Sequence, residues 1–143
     1  MSLKPCYSHR VVYADTDAGG VMYHGRYFDL AERSRNEALA AQGALLSRIQ
    51  IDHDLVFVVN RVSAQFFRPA VLDDKLFVAS SVLKCTPARI VWETEVIRAN
   101  DLLTRLVIHT AGVRWSTRQL TVISEEILFK FHSLSQLKPK ENI

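Results

Sequence analysis

Four long runs rich in Val, Ile, Phe and Thr, Leu55 to Phe67, Lys75 to Cys85, Arg89 to Ala99 and Leu103 to Ser116, follow one another with only short breaks between them. Branched and aromatic side chains of this kind suit the pleated, half-buried surface of a sheet. The breaks carry Arg68-Pro-Ala, Thr86-Pro-Ala and Asn100-Asp, turn chemistry at hairpin spacing, so four strands with short connections are expected in a mostly antiparallel sheet. Within Arg89 to Arg98, Ile90, Trp92, Thr94 and Val96 alternate with Val91, Glu93, Glu95 and Ile97. That period of two, with one face more polar, turns one sheet face toward a core.

A face of that length needs cover, and the pattern from Tyr23 to about Gln42 supplies it. Tyr27, Ala31, Ser34 and Ala38 recur at helical spacing, flanked by Phe28 and Leu30, while Asp29, Glu32, Arg33, Asn36 and Glu37 fall opposite. The small residues in the stripe allow close approach to another surface, and Gly43 marks the helix end. Upstream, Val11, Val12 and Tyr13 favour a strand over Ser8 to Ala14. Downstream, Ser124-Glu-Glu opens a last helix with a capping hydroxyl and two acids. One α+β domain over residues 1–143 is expected, with 134–143 a frayed tail.

The chain has 143 residues, 48% hydrophobic and 23% charged, enough to bury a core without disulfides or a structural metal. Cys6 and Cys85 form no motif and are expected to be reduced, half-buried thiols of a cytoplasmic protein. No stretch approaches the ~18 apolar residues of a membrane span, and the N-terminus lacks a signal-peptide core, so neither secretion nor spanning is expected. A net charge of +3 and a pI near 9.0 suit phosphates, an acidic carrier protein or a membrane surface. Nucleic acid is not expected, since no recognition motif accompanies the charge.

Chemistry concentrates in Tyr13-Ala-Asp-Thr-Asp17-Ala-Gly-Gly20-Val-Met-Tyr-His24-Gly-Arg-Tyr27. A carbonyl docked at the first turn of the following helix would meet free amides and the positive end of the helix dipole, which stabilise charge developing on its oxygen. Gly19 and Gly20 keep side chains out of the way of that approach. A carboxylate just upstream could act on the same carbonyl as nucleophile or general base. By spacing alone, a second reading stands beside this one: Asp15 and Asp17 cap a turn whose positive φ angles fall to glycine, and His24 is a structural group.

The same residues, with Glu32-Arg-Ser-Arg-Asn-Glu37, closely resemble the signature of hotdog-fold acyl-CoA thioesterases, in particular the 4-hydroxybenzoyl-CoA thioesterase family in its Tol-Pal-associated, YbgC-like branch. Val62-Ser-Ala-Gln-Phe-Phe-Arg68-Pro-Ala-Val-Leu-Asp73-Asp resembles the strand and turn after that family's central helix. The resemblance covers roughly Tyr7 to Trp115. It implies a long helix wrapped by a curved antiparallel sheet of about five strands, with subunits joining their sheets and active sites at the interface of a homodimer or homotetramer.

It also implies hydrolysis of acyl-CoA to free acid and coenzyme A, with Asp17 as catalytic carboxylate, the His24 amide polarising the thioester carbonyl and Tyr13 supporting the site. Gly20, Tyr27, Glu32, Phe57 and Val59 are the expected substrate contacts. Glu32 is equally readable as a solvated flank residue, and Phe57 and Val59 as core. Arg61, Lys84, Arg89 and Arg114 are candidates for the phosphates of coenzyme A, which arrives as part of the substrate, so no separate cofactor is expected. His9, His53, His109 and His132 lack ligand spacing, and no metal site is expected. An aromatic acyl-CoA or acyl-carrier-protein substrate, and a non-catalytic acyl-CoA binding module recruited to a membrane complex, are the competing readings. A hotdog dehydratase fits less well, because here the carboxylate precedes the helix.

Overall fold

A computed structural model describes residues 4–135 of the chain. The elements are β1 (Tyr7–Arg10), a 3-10 turn (Tyr13–Asp15), α1 (His24–Ala41), α2 (Leu46–His53), β2 (Leu55–Phe66), β3 (Lys75–Thr86), β4 (Arg89–Arg98), β5 (Asp101–Arg114) and α3 (Glu125–Ser135). All strands join one sheet in the order β1-β3-β4-β5-β2, with every pairing antiparallel. This is the expected α+β arrangement of one long helix against five strands. No helix among the described residues is long and apolar enough to cross a membrane.

The two hairpins β3-β4 and β4-β5 follow from their short turns. β2 does not pair with the strand that follows it; it lies beside β5 at the far edge. The link between β2 and β3 therefore crosses the end of the sheet. Phe67 and Arg68 donate backbone N–H groups to the Leu103 carbonyl at 2.8 and 3.2 Å, and Arg98 holds the Pro69 carbonyl at 3.1 Å. Ala70, fully buried, receives the Met22 N–H on its carbonyl at 2.8 Å. The crossover thus forms the floor on which the start of α1 rests.

Helix α1 packs on the inner sheet face through its small residues. Ala31, Ser34 and Ala38 are buried, and the approach is close enough for Ser34 Oγ to hydrogen-bond Ser80 Oγ at 2.8 Å, which in turn bonds Thr94 Oγ1 at 2.7 Å. Cys6 Sγ extends the chain of hydroxyls, 3.0 Å from Ser34 Oγ. Leu76, Val78, Val82, Ile90, Trp92, Val96, Leu106 and Ile108 form the apolar floor, closed at one end by Ile127, Phe131 and Leu134 of α3.

Three local expectations need correction. The first strand stops at Arg10, and Tyr13–Asp15 is a 3-10 turn; the Asp15 carboxylate accepts the Val12 N–H at 2.9 Å, and this side-chain bond overrides the strand preference of Val11-Val12-Tyr13. Helix α2, unforeseen, fills the connection between Gly43 and β2. The expected frayed tail begins too early, because Leu134 is buried and lies with Ser135 inside α3; residues 136–143 lie outside the described residues.

Candidate active site

The loop from Val12 to Tyr23 is built around two acids with different surroundings. Asp15 is buried, 6% exposed. Its Oδ2 accepts from the Val12 N–H and lies 2.8 Å from His9 Nε2, and its Oδ1 lies 3.5 Å from Arg26 Nε. Burial alone would raise its carboxyl pKa, but the Val12 and His9 hydrogen bonds and the nearby His9 and Arg26 charges outweigh it and bring the pKa below the usual carboxylate value. Asp17 is exposed. Its Oδ1 accepts the Gly19 N–H at 2.8 Å, a local side-chain turn.

The glycines do different work. Gly20 sits at φ +81°, and a Cβ there would meet nothing within 4 Å, so its backbone angle, and not crowding, calls for glycine. A Cβ on Gly19 would stand 3.1 Å from Asp17 Oδ1. Gly25, which did not stand out in the sequence, is the most crowded of the three, by a side chain and not by backbone. A Cβ there would fall 2.5 Å from the Tyr23 ring, which lies across the first turn of α1 and meets the His24 ring at 4.4 Å.

Helix α1 starts at His24 because the chain is pinned just before it. The Tyr23 N–H donates to the Asp15 carbonyl at 2.8 Å and the Met22 N–H to Ala70. The His24 amide is then one of the first-turn donors that helix geometry leaves without an intrahelical carbonyl, at the positive end of the dipole. Two recesses flank this turn. One, of about 520 Å³, is lined by Ala14, Thr16, Asp17, Tyr23, Gly25, Arg26 and Asp29. The other, of about 250 Å³, is bordered by His24, Tyr27, Val21, Met22, Phe66, Phe67, Arg68 and Pro69. Asp17 and His24 therefore border different recesses at the same helix end.

Tyr13 stands beside this loop with its side chain 79% exposed; its carbonyl accepts the Thr16 N–H and hydroxyl at 3.0 and 2.8 Å. Tyr27 is buried, and its hydroxyl accepts the Ala70 N–H at 3.2 Å, so it braces the crossover as well as lining the apolar recess.

Glu32, Phe57 and Val59 come together in a separate groove with Arg35, Asn36, Leu39, Leu46, Trp92, Thr110 and Phe131. Along α1 the eight residues from His24 to Glu32 correspond to about 12 Å. The aromatic wall, with the Phe131 ring edge-on to Phe57 and Trp92 at 5.2 and 5.9 Å, comes partly from α3 and was not legible beforehand. Neither was Arg35. Burial lowers its pKa, with the Glu32 charge acting in the opposite direction, and among the described residues it has no hydrogen-bond partner.

The four phosphate candidates do not gather. Lys84, Val91, His109 and Arg61 align in one row across β3, β4, β5 and β2, on the sheet face turned away from α1. Three strand spacings put Lys84 and Arg61 about 14 Å apart. Arg89 starts β4 opposite Thr86. Arg114 ends β5, bonded to Thr121 Oγ1 at 3.0 Å and 3.9 Å from Asp54. Among the described residues no cluster of three or more His, Cys, Asp or Glu could hold a metal ion.

Residues 19–104 match the family model described as "Thioesterase superfamily". An acyl-CoA thioesterase YbgC from Haemophilus influenzae is 33% identical over 125 residues, covering 87% of this chain and 92% of the relative. Among solved structures, a 1,4-dihydroxy-2-naphthoyl-CoA thioesterase from Synechocystis superposes with a TM-score of 0.79 at 23% identity, over 90% of this chain and 95% of that one. A Staphylococcus aureus protein solved in complex with CoA gives a TM-score of 0.85 at 12% identity, over 100% of this chain and 91% of that one. The fold is that of these neighbours, and by family match and by identity along most of its length the chain belongs to the thioesterase superfamily.

Proposed function

We propose that this protein hydrolyses acyl-CoA thioesters to the free carboxylic acid and coenzyme A at the loop joining Asp17 to α1. The observation that carries the reading is the division of labour between the two acids: Asp15 is buried and engaged, while Asp17, two residues on, is exposed at a recess that the first turn of α1 also borders. In the reaction the thioester oxygen takes up negative charge as its carbonyl is attacked, and the His24 amide stabilises it. Asp17 either takes the proton of the attacking water or attacks the carbonyl itself. In the first case the C–S bond breaks as Asp17 passes that proton to the departing thiolate. In the second the C–S bond breaks to give an acyl–aspartyl anhydride and coenzyme A thiolate, and water then cleaves the anhydride, giving the free acid, restoring the Asp17 carboxylate and supplying the proton that the thiolate takes up. Tyr13 and His24 orient the groups.

Glu32, Phe57 and Val59 are proposed to face the acyl group, and Gly20 and Tyr27 to shape the approach. Arg61, Lys84, Arg89 and Arg114 are proposed for the phosphates, individually and not as a cluster. The aromatic wall of Phe57, Trp92 and Phe131 favours a second reading within the same chemistry, an aromatic acyl group. Acyl carrier protein and a membrane-associated complex are further proposed partners, suited by the charge of +3, and the proposed location is the cytoplasm.

The proposed assembly is a homodimer or homotetramer. Strand β2, twelve residues long, is a sheet edge, and Val58, Val59, Val62 and Phe66 along it are 40%, 49%, 39% and 50% exposed, an edge that a second copy would cover. Release of free thiol from a panel of straight-chain and aromatic acyl-CoAs tests the activity and ranks the acyl groups. Tight binding of every member with no thiol released would instead make the protein a binding module.

A further inference from the structure

The Asp-Thr-Asp sequence offers two carboxylates, and the proposed chemistry uses only the second. We infer that Asp15 is a positioning residue of the same site, acting through backbone geometry on both the Asp17 carboxylate and the His24 amide; this rests on the reading of Asp17 and His24 given above. Its contacts reach three parts of the chain. The carboxylate takes the Val12 N–H at 2.9 Å and His9 Nε2 of β1 at 2.8 Å, and faces Arg26 Nε of α1 at 3.5 Å. Its backbone N–H donates to the Val12 carbonyl, and its own carbonyl accepts the Tyr23 N–H at 2.8 Å.

Each bond fixes one side of the site. The Tyr23 amide is the last before that of His24, so holding it sets the direction in which the helix presents its first free donor. Asp17 follows Asp15 by two residues, so the 3-10 turn that the Val12 bond closes sets where Asp17 emerges. Arg26 borders the recess with Asp17 and is tied on its other side to Asp29 at 3.1 Å. A group that holds the carboxylate-bearing loop against the amide-bearing helix controls their separation, and a displacement of about 1 Å in such an arrangement costs roughly a hundred-fold in rate.

A purely structural acid would lower stability and leave turnover of the folded enzyme alone. Asp15→Asn keeps the size and one oxygen acceptor but removes the charge that His9 and Arg26 face. The experiment measures kcat and KM for the best acyl-CoA of the panel, well below the melting transition, with the folded fraction checked by circular dichroism. For Asp15→Asn the expected result is a kcat lowered about a hundred-fold with KM little changed, the pattern of an arrangement that matters in the transition state. His9→Ala is expected to give a smaller fall of the same kind, and the double variant no more than Asp15→Asn alone, because the two share one network.

A folded Asp15→Asn with wild-type kcat overturns the inference, as do effects of Asp15→Asn and His9→Ala that simply multiply. Where Asp15→Asn does not fold, His9→Ala decides: a lowered kcat at unchanged KM supports the role and a wild-type kcat overturns it. Asp17→Asn run in parallel separates the two levels of argument. Wild-type turnover there sinks the reading of the site, whereas loss there with none in Asp15→Asn or His9→Ala sinks only the positioning role.

Discussion

Phe131 links the stability of the fold to the shape of the substrate groove, so Phe131→Ala reads both at once. The side chain is 1% exposed, packs edge-on against Phe57 and Trp92, and lines the groove that holds Glu32 and Val59. Burying a phenyl side chain is worth about 1.5–3 kcal/mol, and the two aromatic contacts add about 0.5–1.5 kcal/mol each. The void cannot collapse easily, because Ile127, Leu128 and Leu134 hold α3 on either side. A loss of about 4 kcal/mol follows, inside the range of about 3–5 for buried Phe→Ala changes. For a chain of this size that lowers Tm by about 8–16 °C. The assay is denaturant and thermal unfolding at fixed protein concentration, since an oligomer shifts apparent stability by mass action. In the folded variant the enlarged groove should raise kcat/KM for bulky acyl groups relative to small ones. A stability loss below about 0.5 kcal/mol, the scale of an ordinary surface change, would refute the seating of α3 against the sheet.

Other perturbations probe the loop and the charges around it. Gly20→Ala places a methyl at φ +81°, so unfolding should show a cost of about 1–2 kcal/mol, without the collision that Gly25→Ala would cause with the Tyr23 ring. Asp15 and Asp74 both have pKa values below the ordinary carboxylate value; despite desolvation, Asp74 is held down by the Val71 N–H and by the hydrogen bond and charge of Arg98. Groups of that sign stabilise above the unfolded-state pKa of about 4, and the stabilisation is lost as pH falls through the lower folded values. Asp74→Asn should therefore flatten the acid limb of a stability profile measured between neutral pH and acid, and an unchanged limb would count against the ion pair. Burial pushes the Cys85 thiol up to about 11, so at pH 8 it should alkylate far more slowly than a free cysteine; reaction at the free-thiol rate would show that α3 does not cover it.

The pattern of the chain disclosed the central helix almost to the residue, since Tyr27, Ala31, Ser34 and Ala38 mark its buried side and Gly43 its end. The four long strands were equally legible because Pro, Asn and Asp punctuate them. What the pattern could not carry was long-range: that β2 pairs with β5, that the crossover supports α1, and that α3 returns to place Phe131 on Trp92. Local propensity misled at Val11-Val12-Tyr13, where a single carboxylate three residues on converts a strand into a turn. The candidate site divided along the same line. Asp17 and His24 stood out because loop, glycines and helix start are contiguous, whereas Arg35 and the role of Asp15 depend on depth in the fold, which composition does not record. The phosphate candidates were chosen for charge alone, and charge says nothing about which sheet face a side chain occupies.

The central claim is that the exposed Asp17 carboxylate does the chemistry. Steady-state hydrolysis of the preferred acyl-CoA by the wild type and by Asp17→Asn, two proteins of matched fold and oligomeric state, tests it most directly. The account predicts turnover by the wild type and a loss of at least about a hundred-fold in kcat for Asp17→Asn, the scale of removing a general acid–base group. Equal rates in the two proteins would contradict it.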